Sequence, residues 1–253
     1  PLLSLNMRNV TELFRGFAIG DFAVLYGSNS VQSLASLLCV RAQLPPQLGG
    51  LGSNVVVVDC GNTFRLHEVA RLARLHQLDP RQTLERIYLS RAFTAYQMTA
   101  LILEKLKDTV KRYNAKLVII SDIASFFLDK DIPEYEARRV YSQVAAYLSN
   151  FAKENQIALI ATYPPHQETK RNSLFQAVTC EKANVVISLN QTKYEREFIL
   201  EKHPRYLTGV AELPSETLTL EHFIGVTLGG TFESYRMALK TKNRQMEKVR
   251  KST

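Results

Sequence analysis

"DFAVLYGSNSVQSLASLLCVRAQL", residues 21–44, is the stretch on which the fold turns. Its opening, "DFAVLY" (21–26), reads as a buried strand, because an almost continuous apolar run leaves no face for water. Its close, "LASLLCVRAQL" (34–44), reads as a helix, and a short turn led by Gly27 joins the two. A strand passing through such a turn sets a helix N-terminus, with its unpaired amides and positive dipole end, at the strand's C-terminal end. That is an architecture for holding phosphate. Yet the turn contains one glycine and no lysine, so residues 26–34 pose a question about chemistry rather than shape.

The pattern repeats outward. "NVVVVDC" (54–60), "KLVIIS" (116–121), "IALIATY" (157–163) and "NVVISL" (184–189) are further strand candidates of the same doubly buried kind. Helical stretches alternate with them at 31–43, 65–76, 95–112 and 134–154. In the last of these, Val140, Val144, Tyr147, Leu148 and Phe151 fall along one face. Such alternation predicts an α/β fold whose mainly parallel, twisted sheet carries helices on both faces, connected by right-handed crossovers. "REFILEKH" (196–203) reads as a late antiparallel strand, and "PPQLGGLGSN" (45–54) and "YPPHQETKRN" (163–172) as loops.

Composition sets the outer limits. The chain has 253 residues, 45% of them apolar, enough for one sizeable core. No run of about 18 apolar residues offers a membrane span, and "PLLSLNMRNV" (1–10) lacks the form of a signal peptide. Cys39, Cys60 and Cys180 are few, scattered and set in or beside apolar runs, which predicts buried thiols in a reducing compartment. An intracellular location is expected, cytoplasmic and nucleoid-associated or nuclear. His67, His76, His166, His203 and His222 form no ligand pair at helical spacing, so no metal site is predicted. The net charge is +8, of which "KTKNRQMEKVRK" (240–251) supplies +5 from six basic residues against Glu247. The rest of the chain is thus only +3. The division expected is a core over residues 1–230 and a basic C-terminal helical tail over 231–253. Phe232, Tyr235, Leu239, Met246 and Val249 lie at heptad-like spacing in that tail.

The block "NVVVVDCGNTFRLHEVARLARLHQLDPRQTLERIYLSRAFTAYQM" (54–98) resembles the RecA-type recombinases of archaea and eukaryotes, the RadA family. Within it, "DCGNTFR", "QLDP" and "LSRAF" are similar to segments that the family arranges in the same order. "LLCVRAQLP" (37–45) is similar to the helix after the family's phosphate loop, and "KLVIISDIASFF" (116–127) to its Walker B strand. The resemblance covers roughly residues 10–225 and implies the RecA-like ATPase core. The family's helical N-terminal DNA-binding domain has no counterpart here, and no F-x-x-A docking tetrapeptide occurs.

Against that resemblance, the parts of an ATPase are altered one by one. A P-loop works by wrapping phosphates in backbone amides, neutralising charge with a lysine and holding magnesium with a hydroxyl. Anchored on Leu34, the lysine position holds Val31 and the hydroxyl position Gln32, and the loop is about two residues short. Gly27, Ser28, Asn29 and Ser30 make up what remains of it, and their backbone leaves weak ATP or ADP binding open. Gly61 stands where the family's water-orienting glutamate follows the strand ending at Asp59. The Walker B position is Ser121, with Asp122 one residue later and so on the other face of the strand. Tyr163-Pro164 replaces the polar pair at the end of the next strand. The expectation is a degenerate nucleotide site without catalysis and without a required cofactor. The alternative is an atypical ATPase completed in trans by a partner, with Asp59, Asp122 and Ser28 as its working residues.

The family holds DNA with two loops that correspond here to 125–135 and 164–178. The first, with Asp129, Asp131 and Glu134, is net acidic. The second offers Lys170, Arg171, Asn172 and Phe175 for a single-stranded contact, with Arg138 and Arg139 on the adjoining helix. Lys240, Lys242, Arg244, Lys248, Arg250 and Lys251 of the tail would add salt-sensitive affinity. The resulting expectation is a non-catalytic recombinase paralogue acting as an accessory in recombinational repair. It would bind single-stranded DNA, a RadA-type recombinase or another paralogue, as a hetero- or homo-oligomer. A RecA-fold scaffold without a DNA role, docking through its tail helix, is the remaining possibility.

Overall fold

The computed structural model describes residues 1–191 and 196–213. The chain begins with β1 (Leu2–Leu3), α1 (Arg8–Thr11) and β2 (Phe17–Ala18), in which the two strands pair antiparallel as a small ribbon. β3 (Phe22–Gly27), the first strand of the main sheet, leads into α2 (Ser30–Arg41), and β4 (Asn54–Asp59) into α3 (Leu66–Leu75) and α4 (Pro80–Glu85). β5 (Ile87–Arg91) precedes α5 (Ala95–Ala100) and α6 (Leu106–Arg112), which are joined by one π-helical stretch, Leu101–Lys105. β6 (Ala115–Ser121), α7 (Glu134–Glu154), β7 (Ala158–Tyr163), α8 (Lys170–Lys182) and β8 (Val185–Gln191) continue the alternation. β9 (Arg196–Lys202) and β10 (Gly209–Glu212) complete it.

The main sheet has the order β10-β9-β8-β3-β7-β6-β4-β5. Strands β3 to β8 pair in parallel, whereas β9 and β10 are antiparallel additions at one edge. The expected strands, including the late antiparallel one, are thus present within a residue or two. Alternation along each strand builds two cores. Leu25, Val55, Val57, Ile119 and Ile160 pack towards α2 and α3. Val24, Val56, Val58, Val118 and Ile120 pack towards α5, α6 and α7. Each buried valine or isoleucine contributes roughly 1.5–3 kcal/mol over its exposed state. Both faces of every central strand are covered, which is why these strands read as unbroken apolar runs rather than alternating ones.

Two expectations are corrected, and two further elements lie where the sequence reading placed none. Residues 163–172 are not wholly a loop, since α8 begins at Lys170, where Thr169 Oγ1 accepts the amide of Asn172 at 3.1 Å and caps the helix. The stretch 95–112 is not one α-helix but two around the π turn. α4 lies where no helix was expected; Asp79 caps it through Gln82 N at 2.8 Å, with Pro80 in its first turn. The N-terminal ribbon was likewise not foreseen, because strands of two residues carry no periodicity. Cys39 and Cys60 are buried free thiols, and Cys180 is partly exposed. The tail over 231–253, with its basic residues, lies outside the described residues. Among those described, no helix is long and apolar enough to cross a membrane.

Candidate functional site

The turn after β3 sits near the middle of the sheet, at the carboxyl ends of the parallel strands, where open α/β sheets receive ligands. Gly27 has φ +107°, and a Cβ there would lie 2.6 Å from Leu189 O on neighbouring β8. Only glycine fits. The turn then lies against β8: Ser28 N donates to Leu189 O at 2.8 Å and Ser30 Oγ to Gln191 Oε1 at 3.2 Å. Ser30 N donates to Ser28 Oγ at 3.2 Å, Val31 N to Ser28 O at 3.3 Å and Gln32 N to Asn29 O at 3.2 Å. The backbone amides of Ser28, Ser30, Val31 and Gln32 around the helix start are therefore engaged inside the protein. Val31 is fully buried, with its side chain in the core on the α2 side. Gln32 is 9% exposed, and its Nε2 has no hydrogen-bond partner among the described residues.

Three strands away from β3, the pairing register places Asp59 of β4 beside Ser121 of β6 and Arg91 of β5. The Asp59 carboxylate is fully buried and used on every side. Its Oδ1 accepts Thr63 N at 2.9 Å and Ser121 Oγ at 2.8 Å. Its Oδ2 accepts Phe64 N at 3.4 Å and faces Arg91 Nε at 3.2 Å. Thr63 Oγ1 also donates to Ser121 Oγ at 3.1 Å. Asp59 and Ser121 thus fold the loop 60–65 down onto the strand ends.

Asp122 follows Ser121 with φ +50°, a left-handed backbone that re-aims the chain at the strand end. Its amide donates to Thr162 Oγ1 at 2.9 Å, and its Oδ1 lies 2.8 Å from His166 Nε2. A Cβ on Gly61 would come within 2.8 Å of Asp122 Cβ, so the two positions touch. Burial, with Asp122 and Asp59 nearby, drives the Cys60 thiol well above its ordinary pKa and keeps it protonated. The sequence-derived set is therefore split in two: Asp59 with Ser121, and Asp122 with Gly61 and His166.

The proposed DNA residues also divide. Phe175 is 1% exposed and stacks on Tyr141 at 4.4 Å between ring centroids, so no base can lie on it. Asn172 is buried, accepting Tyr163 Oη at 2.6 Å and donating to Gln167 O at 3.1 Å. Arg171 reaches across to the carbonyls of Phe127, Asp129 and Ile132, the last at 3.0 Å. These three are fold-holding residues, a correction that follows from the start of α8 at Lys170. Lys170, Arg138 and Arg139 are exposed cations. Arg91, Thr63, His166 and the clamp by Arg171 escaped sequence reasoning, since their partners lie 32 to 44 residues away except for Thr63. The spacing of Thr63 four residues after Asp59, "DCGNT", is a local signal that could have shown that contact.

A cleft of about 350 Å³ opens beside the turn, between α2, α3 and the ends of β8 and β9. Leu34, Leu37 and Leu189 line it with Met7, and Arg65 and Arg71 stand on its α3 side.

A mainly parallel sheet, two helical layers and a glycine-led turn at its central strand define a RecA-like α/β core. Within that class the chain belongs to the Rad51 family, whose sequence pattern it matches over residues 5–183. It is 36% identical over 120 residues to the DNA repair and recombination protein RadA of Aeropyrum pernix. That match takes in 47% of this chain and 34% of the relative, so the chain spans about a third of the protein it resembles.

Proposed function

We propose that the chain is a non-hydrolysing accessory member of the Rad51 family, acting in homologous recombination and DNA repair beside a recombinase or another paralogue. The observation that carries this reading is the commitment of the turn. A P-loop holds phosphate with amides that point at the ligand, whereas here Ser28, Ser30, Val31 and Gln32 donate within the protein. Val31 adds no charge and is buried where the family's lysine would reach phosphate. These residues do not fit Mg-ATP held in the family's manner. Asp59 and Asp122, the carboxylates of the alternative reading, already serve neighbouring amides, hydroxyls, Arg91 and His166. Loss of one preorganised electrostatic contact alone costs roughly 100-fold or more in rate.

Contact with single-stranded DNA rests in this reading on Lys170, Arg138 and Arg139 and on the basic residues of 240–251, so it is salt-sensitive and independent of nucleotide. The location proposed is intracellular. The test is fluorescence anisotropy of a labelled single-stranded oligonucleotide with and without Mg-ATP, beside a multiple-turnover phosphate-release assay. The expected result is one binding curve under both conditions and no turnover. Binding that requires ATP, or steady turnover abolished by Asp122→Ala, would overturn the proposal.

A further inference from the structure

At the β9–β10 edge of the sheet, one face has no cover among the described residues. Phe198 and Leu200 of β9 and Ala211 of β10 point into the core on the α2 side. Alternation turns Glu197, Ile199 and Glu201 of β9, with Val210 and Glu212 of β10, to the opposite face. No residue of β9 or β10 belongs to the core beneath α5, α6 and α7. Val210 is accordingly 60% exposed, although it lies within a paired strand. Directly across from it stands Ile199, and directly across from Glu212 stands Glu197, a pairing of like charges that repel. Tyr26 Oη donates to both carboxylate oxygens of Glu201, at 2.7 and 2.8 Å, and so fixes a third acidic group at the border. Among the described residues none of these three glutamates has an ion-pair partner. The strand's own cations are turned elsewhere: Arg196 lines the cleft beside α2, and Lys202 Nζ donates to Ala183 O at 2.6 Å, at the end of α8. An apolar centre ringed by carboxylates calls for a basic, amphipathic cover.

We infer that the chain's own basic segment, residues 232–251, docks on this face. Its sequence has the complementary make-up: Phe232, Tyr235, Leu239, Met246 and Val249 at heptad-like spacing, and a charge of +5 over 240–251. The segment is also tethered beside its target. β10 ends at Glu212, and the 18 residues 214–231 span at most roughly 60 Å, ample for a return across two strands about 5 Å apart. The tether makes the encounter intramolecular, at an effective concentration that a separate basic protein lacks. The other acidic stretch, 129–136, contains Lys130, and its Glu134 and Glu136 already answer the helix dipole in the first turn of α7. A docked segment withholds its cations from phosphate, so the sheet face and single-stranded DNA compete for it. That competition rests on the proposed contact of 240–251 with DNA; the docking itself does not.

Carbodiimide coupling of the full chain, followed by peptide mass spectrometry, reads the contact, because it joins a lysine amine to a carboxylate only where the two touch. An equimolar mixture of ¹⁵N-labelled and unlabelled chains separates links within a chain from links between copies. The expected result is intrachain links from Lys240, Lys242, Lys248 or Lys251 to Glu197, Glu201 or Glu212, lost at about 1 M salt. Val210→Asn keeps all three carboxylates and should lower the yield at least about fivefold, and Leu239→Asn should do the same from the other side of the contact. Circular dichroism checks that each variant is folded. Links that run mainly to residues 129–136, that join labelled to unlabelled chains, or that both variants leave unchanged overturn the proposal. A single-stranded oligonucleotide should displace the segment and lower the yield as the variants do. Intrachain links that persist once the oligonucleotide is bound would uphold the docking and remove 240–251 from the contact with DNA.

Discussion

At the scale of single residues, the site is held by side chains packed and hydrogen-bonded within the protein. Val31 shows this most directly. Because its side chain is fully buried, Val31→Lys does not rebuild a phosphate contact; it places an ammonium group in the α2-side core. An unpaired buried charge costs about 3–5 kcal/mol, so a lowered urea midpoint with no gain in ATP turnover is expected. Asp59 makes the complementary case. Asp59→Ala removes the acceptor of Thr63 N and Ser121 Oγ and leaves Arg91 without its carboxylate. A loss of roughly 2–4 kcal/mol in chemical denaturation is expected, with oligonucleotide affinity unchanged. Turnover that disappears in this variant while stability holds would reassign Asp59 to chemistry. The identities of Val31, Gly61 and Ser121 are legible in the sequence itself. The contacts of Asp59 are not, because a sequence shows a carboxylate without its neighbours across the sheet.

Elements carry the next layer of meaning, and α8 is the instructive one. "YPPHQETKRN" has two prolines and a polar run, and local chemistry alone reads it as loop. Its last residues nonetheless start a helix, because Thr169 caps it and Phe175 and Thr179 pack inward one turn apart. Tertiary burial of that face overrides weak local propensity. The helix start turns Arg171 towards the 127–132 loop, where the guanidinium replaces water at several carbonyls. Thr169→Ala should cost about 1 kcal/mol through the lost cap. Arg171→Ala should raise amide exchange in residues 127–132 while the β-strands stay protected, because the loop loses its anchor and the sheet does not. Exchange that rises equally across the sheet would show that Arg171 supports the global fold instead. The strands, by contrast, are legible almost to the residue, since burial on both faces writes itself as continuous Val, Ile and Leu.

Across the whole molecule, the N-terminal ribbon, the α2 layer and the α3 layer meet at one buried cation. Arg41 is 1% exposed, and its Nε donates to Ser4 O, its Nη2 to Leu48 O at 2.7 Å and its Nη1 to His76 Nε2 at 3.2 Å. Burial lowers the Arg41 pKa to about 10, so it remains charged at neutral pH. Because Arg41 can only donate, His76 Nε2 must accept, and the imidazole proton sits on Nδ1, 2.9 Å from Leu72 O. The junction therefore requires neutral His76. Burial, and then the charge of Arg41, pull its pKa down from 6.5 to about 4. The unfolded chain takes up that proton nearer pH 6.5, the native chain only near pH 4, so between those values unfolding binds a proton. This group's contribution is full above pH 6.5 and falls as the pH drops towards about 4, by about 3 kcal/mol in all. Denaturant midpoints measured from pH 7 to pH 4 should decline across that window more steeply in the native chain than in His76→Gln, which keeps an acceptor and does not titrate. Parallel curves for the two proteins would remove His76 from the acid response and leave the junction without a pH-sensitive member.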